Sequence, residues 1–119
     1  MTPTTRYYGR ETFKFYLRDK LKEKKVAVYR ITRFKALDVE KAAEIGESMR
    51  DMLENIDSEF IDMVSYGNGD CVVVAKYPDQ AAMDAATDTA KMAFGKMIEA
   101  GAVDGSSVKP ETGEVLMSF

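Results

Sequence analysis

Lys25-Val26-Ala27-Val28-Tyr29-Arg30-Ile31-Thr32-Arg33-Phe34-Lys35 is the stretch on which the reading of this chain turns. It is dense in β-branched and aromatic residues, the composition of a pleated, half-buried surface. It predicts the first strand of a sheet, and a central one. Within it, Arg30 stands where a one-sided core would take an aliphatic residue. A guanidinium beneath a helix would be a buried charge without a partner, which is costly. The alternation therefore predicts Ala27, Tyr29 and Ile31 under the helices, with Val28, Arg30 and Thr32 on the opposite face.

Downstream, Asp38 is a plausible N-cap for a helix over Val39 to Ile56. Ala42, Ile45, Met49, Met52, Leu53 and Ile56 recur there with helical period. Phe60 to Tyr66 and Cys71 to Tyr77 flank Gly67-Asn68-Gly69-Asp70. Asn-Gly between two β-rich runs is a strong hairpin signal. A two-residue turn at Asn68-Gly69 would pair Tyr66 with Cys71, Val64 with Val73 and Asp62 with Ala75. A three-residue turn would shift the register by one and flip the faces of the third strand. Pro78-Asp79 opens a second helix, with Asp79 as cap and an apolar stripe from Met83 to Ile98. Gly101 is placed to end it in a left-handed conformation. Pro110 to Gly113 reads as a turn, followed by a last strand toward Phe119.

Upstream, residues 1–24 form an N-terminal extension, and 25–119 the main domain. Met1 to Arg10 is a loose polar arm. Thr12 to Lys24 carries Phe13, Tyr16, Leu17 and Leu21 at helical spacing, with a short strand over Phe13 to Tyr16 as the alternative. Its basic run reads as a solvated helix face.

The chain has 119 residues, which suits one domain able to bury a core without staples. A net charge of −3 gives no basis for a general nucleic-acid binder. No apolar run approaches a membrane span and no signal-peptide core stands near the start, so the expected compartment is the cytoplasm. There is no histidine and a single cysteine, Cys71. That removes imidazole bases, Ser-His and Cys-His pairs, intrachain disulfides and thiolate zinc clusters. No P-loop or dinucleotide fingerprint occurs, and no cofactor is expected.

Ile61 and Met63 suit the helix side of the second strand, so Asp62, Val64 and Tyr66 face away. Val26, Val28, Val64 and Val73 would share that outer face, an apolar area that suggests a second copy of the chain. Arg30, Thr32, Asp62 and Tyr66 are then the candidate lining of an enclosed cavity. Arg30 would bind an anionic oxygen, Asp62 would act as base or orienter, and Tyr66 would donate a hydrogen bond. The plainer alternative is an Arg30–Asp62 ion pair across the dimer interface, giving register alone. Cys71 reads as a buried, inert thiol, and Lys76 with Tyr77 as a solvated strand end.

The element order β-α-β-β-α-β is that of a ferredoxin-like antiparallel sheet with two helices on one face. With Val72-Val73-Val74-Ala75-Lys76-Tyr77-Pro78-Asp79-Gln80 after the hairpin, residues 25–119 resemble the dimeric α+β barrel proteins, the superfamily of antibiotic-biosynthesis-monooxygenase-like domains. Phe94 to Gly101 and Thr112 to Phe119 are compatible with the end of such a domain. The resemblance implies a homodimer whose sheets enclose a small-molecule cavity. It implies either a cofactor-independent monooxygenase-like enzyme acting on an aromatic or quinol-like molecule, or a non-catalytic sensor or structural dimer. The haem-degrading branch uses Trp and His, which this chain lacks, and no catalytic residue carries over.

Overall fold

A computed structural model describes residues 26–119. The expected N-terminal arm and the helix over Thr12 to Lys24 lie outside the described residues. The described chain is α+β, with a four-stranded antiparallel sheet and three helices, an arrangement compatible with a ferredoxin-like fold. In chain order the elements are β1 (Val28–Ala36), α1 (Val39–Ser48), α2 (Arg50–Glu54), β2 (Phe60–Gly67), β3 (Asp70–Tyr77), α3 (Gln80–Glu99) and β4 (Val103–Glu114). The strand order is β2-β3-β1-β4, so β1 is central as expected.

Local chemistry explains most boundaries. The Asp38 carboxylate accepts from the Lys41 N–H at 3.0 Å, and Asp79 from the Ala82 N–H at 2.8 Å, satisfying donors at the starts of α1 and α3. Gly101 follows α3 with φ of 76°, a left-handed conformation that glycine adopts without steric cost. The expected single helix over Val39 to Ile56 is instead two, broken at Met49. The Ser48 hydroxyl donates to the Ile45 carbonyl at 2.6 Å, the acceptor that the Met49 N–H would use in a continuous helix. That N–H turns to Gly46 O at 3.1 Å, a tighter turn that redirects the chain.

The tail departs from expectation. No turn forms at Pro110 to Gly113, and Val115 to Phe119 are not strand. β4 runs straight through the proline, with Pro110 opposite Thr32. An edge strand has one side free of ladder bonds, so a residue without an N–H is tolerated there.

The hairpin keeps its two-residue turn but changes its register. Asn68 and Gly69 have φ of 55° and 83°, and Gly67 pairs with Asp70 across them. A bulge between Ser65 and Gly67 then takes Tyr66 out of the ladder. Beyond it the pairs are Ser65–Cys71, Val64–Val72, Met63–Val73, Asp62–Val74 and Ile61–Ala75, one residue from the expected set.

The helices pack on the sheet face that carries Val28, Phe34, Cys71, Ala75 and Tyr77. The face assignment of β1 is therefore the reverse of the expected one. Val28, Arg30, Thr32, Phe34 and Ala36 look toward the helices, and Tyr29 and Ile31 look away. The strand as a whole decides this. Phe34 and Ala36 are 4 % and 5 % exposed, and their alternation carries Val28 under the helices and Arg30 with it. Ile61 and Met63 lie on the helix side, as expected. Because Val28 and Val73 also turn inward, the apolar set proposed for the outer face loses both.

Candidate functional site

Most of the buried apolar residues fall into two separate clusters. One joins Phe34, Ala36 and Cys71 of the sheet to Ala42 of α1 and Met97 of α3. The other joins Val28, Ala75 and Tyr77 to Ala82, Met83 and Ala86 of α3. Between them on β1 stand Arg30 and Thr32, on rungs shared with Ala75 and Val73. Over these rungs the helices part and leave a cleft of about 640 Å³. Its floor is β1, β3 and β2, one wall is α1 and α2, and the other is α3.

Small side chains make part of each wall. Ala43 and Gly46 face the cleft from α1, and Ala90 and Ala93 from α3. A Cβ on Gly46 would come within 3.7 Å of Met97 Cε, in ordinary contact, so the two walls nearly meet at that end. Phe94 adds an aromatic surface there, packed edge-on against Phe34 at 5.2 Å between centroids. The result is a slot with mostly apolar sides.

Two polar side chains interrupt the floor. Arg30 is half-buried, and its Nη2 donates to the Met83 carbonyl at 3.2 Å and to Thr87 Oγ1 at 2.7 Å. Its guanidinium carbon lies 5.8 Å from the centre of the Tyr77 ring, within cation–π range. Among the described residues no carboxylate is within ion-pair distance of it. Thr32 is 4 % exposed, and among the described residues its hydroxyl has no hydrogen-bond partner. Burial raises the Tyr77 phenol above its ordinary value, while the Arg30 charge pulls it back.

Charge returns at the rim. Arg50 bridges Glu47 and Glu54 at 2.5 and 3.1 Å, across the break between α1 and α2. The hydrogen bond and charge of Arg50 hold the Glu47 carboxyl below its ordinary value and raise the guanidinium in turn. Both carboxylates at the rim are thus committed to one cation.

Of the four candidate residues, the structure brings Arg30 and Thr32 together and separates them from the other two. Asp62 and Tyr66 are exposed, and the Asp62–Val74–Ile31 rung lies on the outer face. Arg30 and Asp62 therefore share no chamber and form no ion pair within this chain. Tyr66 sits on the bulge, 70 % exposed. Tyr77 is not a solvated strand end: it is 2 % exposed and lines the cleft, while its neighbour Lys76 pairs with Glu59 at 3.1 Å. Cys71 is buried in the core, in keeping with an inert thiol. The missed signal was available: alternation carried on to Phe34 and Ala36 would have turned Arg30 inward.

Among the described residues no group of acidic or cysteine side chains is placed to hold a metal ion, and no helix is long and apolar enough to cross a membrane. No protein-family model matches the chain, and a search of curated proteins finds no match.

Proposed function

We propose that this chain is a small-molecule-binding domain whose ligand enters between the sheet and the helices. The observation that carries the reading is the divided core. A domain of this size ordinarily closes its interior to near-crystalline density. Here two packed clusters stand apart, and the gap holds a cation and a buried hydroxyl that have, among the described residues, no counter-ion and no hydrogen-bond partner respectively. Leaving a buried polar group unsatisfied costs about 1–3 kcal/mol, so a partner supplied by a ligand is worth having. An apolar pocket with a few convergent polar groups is the usual form of a small-molecule site.

Binding is favoured over catalysis because, among the described residues lining the cleft, neither carboxylate is left unpaired to serve as a base. A cofactor-independent oxygenase must take a proton from an aromatic or quinol-like substrate before oxygen attacks. The carboxylates lining the cleft, Glu47 and Glu54, are both held by Arg50.

A neutral fluorescent probe, N-phenyl-1-naphthylamine, tests the reading without involving charge. One probe per chain with enhanced emission is expected, and Ala90→Phe should abolish it while the circular dichroism spectrum stays unchanged. Failure of the wild-type chain to bind, or equal binding by Ala90→Phe, would sink the reading.

A homodimer through the outer sheet face is a second proposal. Tyr29 and Phe60 stack edge-on there at 6.1 Å, and Val64 and Tyr66 stand 39 % and 70 % exposed. Sedimentation should show two copies for wild type and one for Val64→Glu; a monomeric wild type at all concentrations ends this proposal.

A further inference from the structure

We infer that the ligand of the cleft is a flat aromatic monocarboxylate, its carboxylate seated on the Arg30 guanidinium; the inference rests on the binding reading above. The sign comes first. Arg30 is a half-buried cation that no acid of the described chain neutralises. Its present partners, the Met83 carbonyl and the Thr87 hydroxyl, are neutral acceptors and leave its charge uncompensated. Charge-assisted bonds to a carboxylate are about twice as strong as such neutral ones.

The number of charges comes next. Both bonds leave from Nη2, so Nε–H and the Nη1 hydrogens remain to be given. One carboxylate oxygen can accept from Nη1 or from Nε–H, while a two-bond fork needs an Nη2 hydrogen and would displace the Met83 carbonyl or Thr87. A phosphate ester would bring more oxygens and a second charge, and among the described residues of the lining no second cation is unpaired: Arg50 is already shared by Glu47 and Glu54. The charged residues of the lining, Arg30, Glu47, Arg50 and Glu54, sum to zero, so a monoanion leaves a small residual charge and a dianion a larger one.

Shape gives the rest of the ligand. Ala43, Gly46, Ala90 and Ala93 leave room on the helix walls, and the walls come close where Gly46 faces Met97. The rings of Tyr77 and Phe94 belong to the lining, and aromatic faces suit offset or edge contact with a planar ring. Thr32 lies two residues along β1 from Arg30, so its buried hydroxyl is roughly 7 Å further along the floor. A keto or hydroxyl group on the far side of the ring would satisfy it.

The test compares 2-naphthoate with 2-naphthamide, which have the same ring and nearly the same shape but differ in charge. Titration calorimetry on the full chain should favour the acid by roughly tenfold to a hundredfold. Arg30→Met should bring the two within about twofold of each other while N-phenyl-1-naphthylamine still binds, and Arg30→Lys should keep part of the preference. Equal affinity of wild type for acid and amide, with the neutral probe still bound, overturns the carboxylate inference and leaves the cleft reading standing. A preference that survives Arg30→Met overturns Arg30 as its anchor. Loss of all three compounds by wild type overturns both.

Discussion

Arg30 and Arg33 stand three residues apart on β1, with the same side chain and opposite surroundings. Arg33 looks outward, is exposed, and makes a 3.5 Å ion pair with Glu111 on the neighbouring strand. Arg30 looks inward, is half-buried, and among the described residues donates to neutral acceptors alone. The outer face treats charge as ordinary surface chemistry, where water does most of the solvating. The helix-covered face has the same rungs but is partly shielded by the helices, so a charge there is met by particular groups. The difference teaches where to look for function: at the place where the ordinary rule of burial is broken.

The largest effect that sharpens the contrast is a core deletion. Phe34→Ala on the inner face should cost about 3–5 kcal/mol, because it empties a nearly fully buried position packed on Phe94. Ile31→Ala, half-buried on the outer face, should cost about 1 kcal/mol or less. Urea denaturation of both variants measures the gap; equal losses would mean that the two faces are not distinct.

The turn that sets the hairpin comes next. Gly69 has φ of 83°, and a Cβ there would lie 2.5 Å from the Ala36 carbonyl oxygen. Gly69→Ala should cost about 2–3 kcal/mol from strain and displaced backbone. Gly67, with φ of 95° but open space around it, should lose only about 1–2 kcal/mol on the same change. Matching midpoints for the two variants would count against the close contact at Ala36.

The two arginines give a smaller and more pointed comparison. Arg33→Met should change stability by less than about 1 kcal/mol, since exposed ion pairs contribute little. Arg30→Met should leave stability unchanged or raise it by up to about 1 kcal/mol, because it removes an uncompensated charge from a partly dry site. A loss above about 2 kcal/mol for Arg30→Met would instead make the guanidinium a structural tie between β1 and α3.

The smallest effect is in alkaline solution. Burial holds the Tyr77 phenol above its ordinary value, so the folded chain keeps it neutral where the unfolded chain ionises it. Its contribution is intact below about pH 10 and is lost as pH rises through the folded-state value. Tyr77→Phe should therefore decline less steeply than wild type above about pH 10; parallel curves would remove Tyr77 as the cause.

Much of the architecture is legible in the residues alone, because its signals are local. Asp38 and Asp79 offer an acceptor to backbone donors three residues away, Asn68-Gly69 tolerates a left-handed turn, and Gly101 ends a helix, all without reference to distant parts of the chain. Period two likewise shows that Arg30 shares a face with Thr32, and Ile61 with Met63. Over Val28 to Thr32 alone it does not say which face meets the helices; carried on to Phe34 and Ala36 it turns Arg30 inward. That choice belongs to the whole strand and its neighbours: Phe34, Ala36 and Val28 gain more by burial than Arg30 loses, since Met83, Thr87 and Tyr77 supply it with partial partners. The break at Met49 is local, made by Ser48 on the Ile45 carbonyl, but the bulge at Tyr66 and the gap between the two core clusters are not. Those two are settled by how separate segments share one interior, and no short window of sequence contains both sides of that bargain.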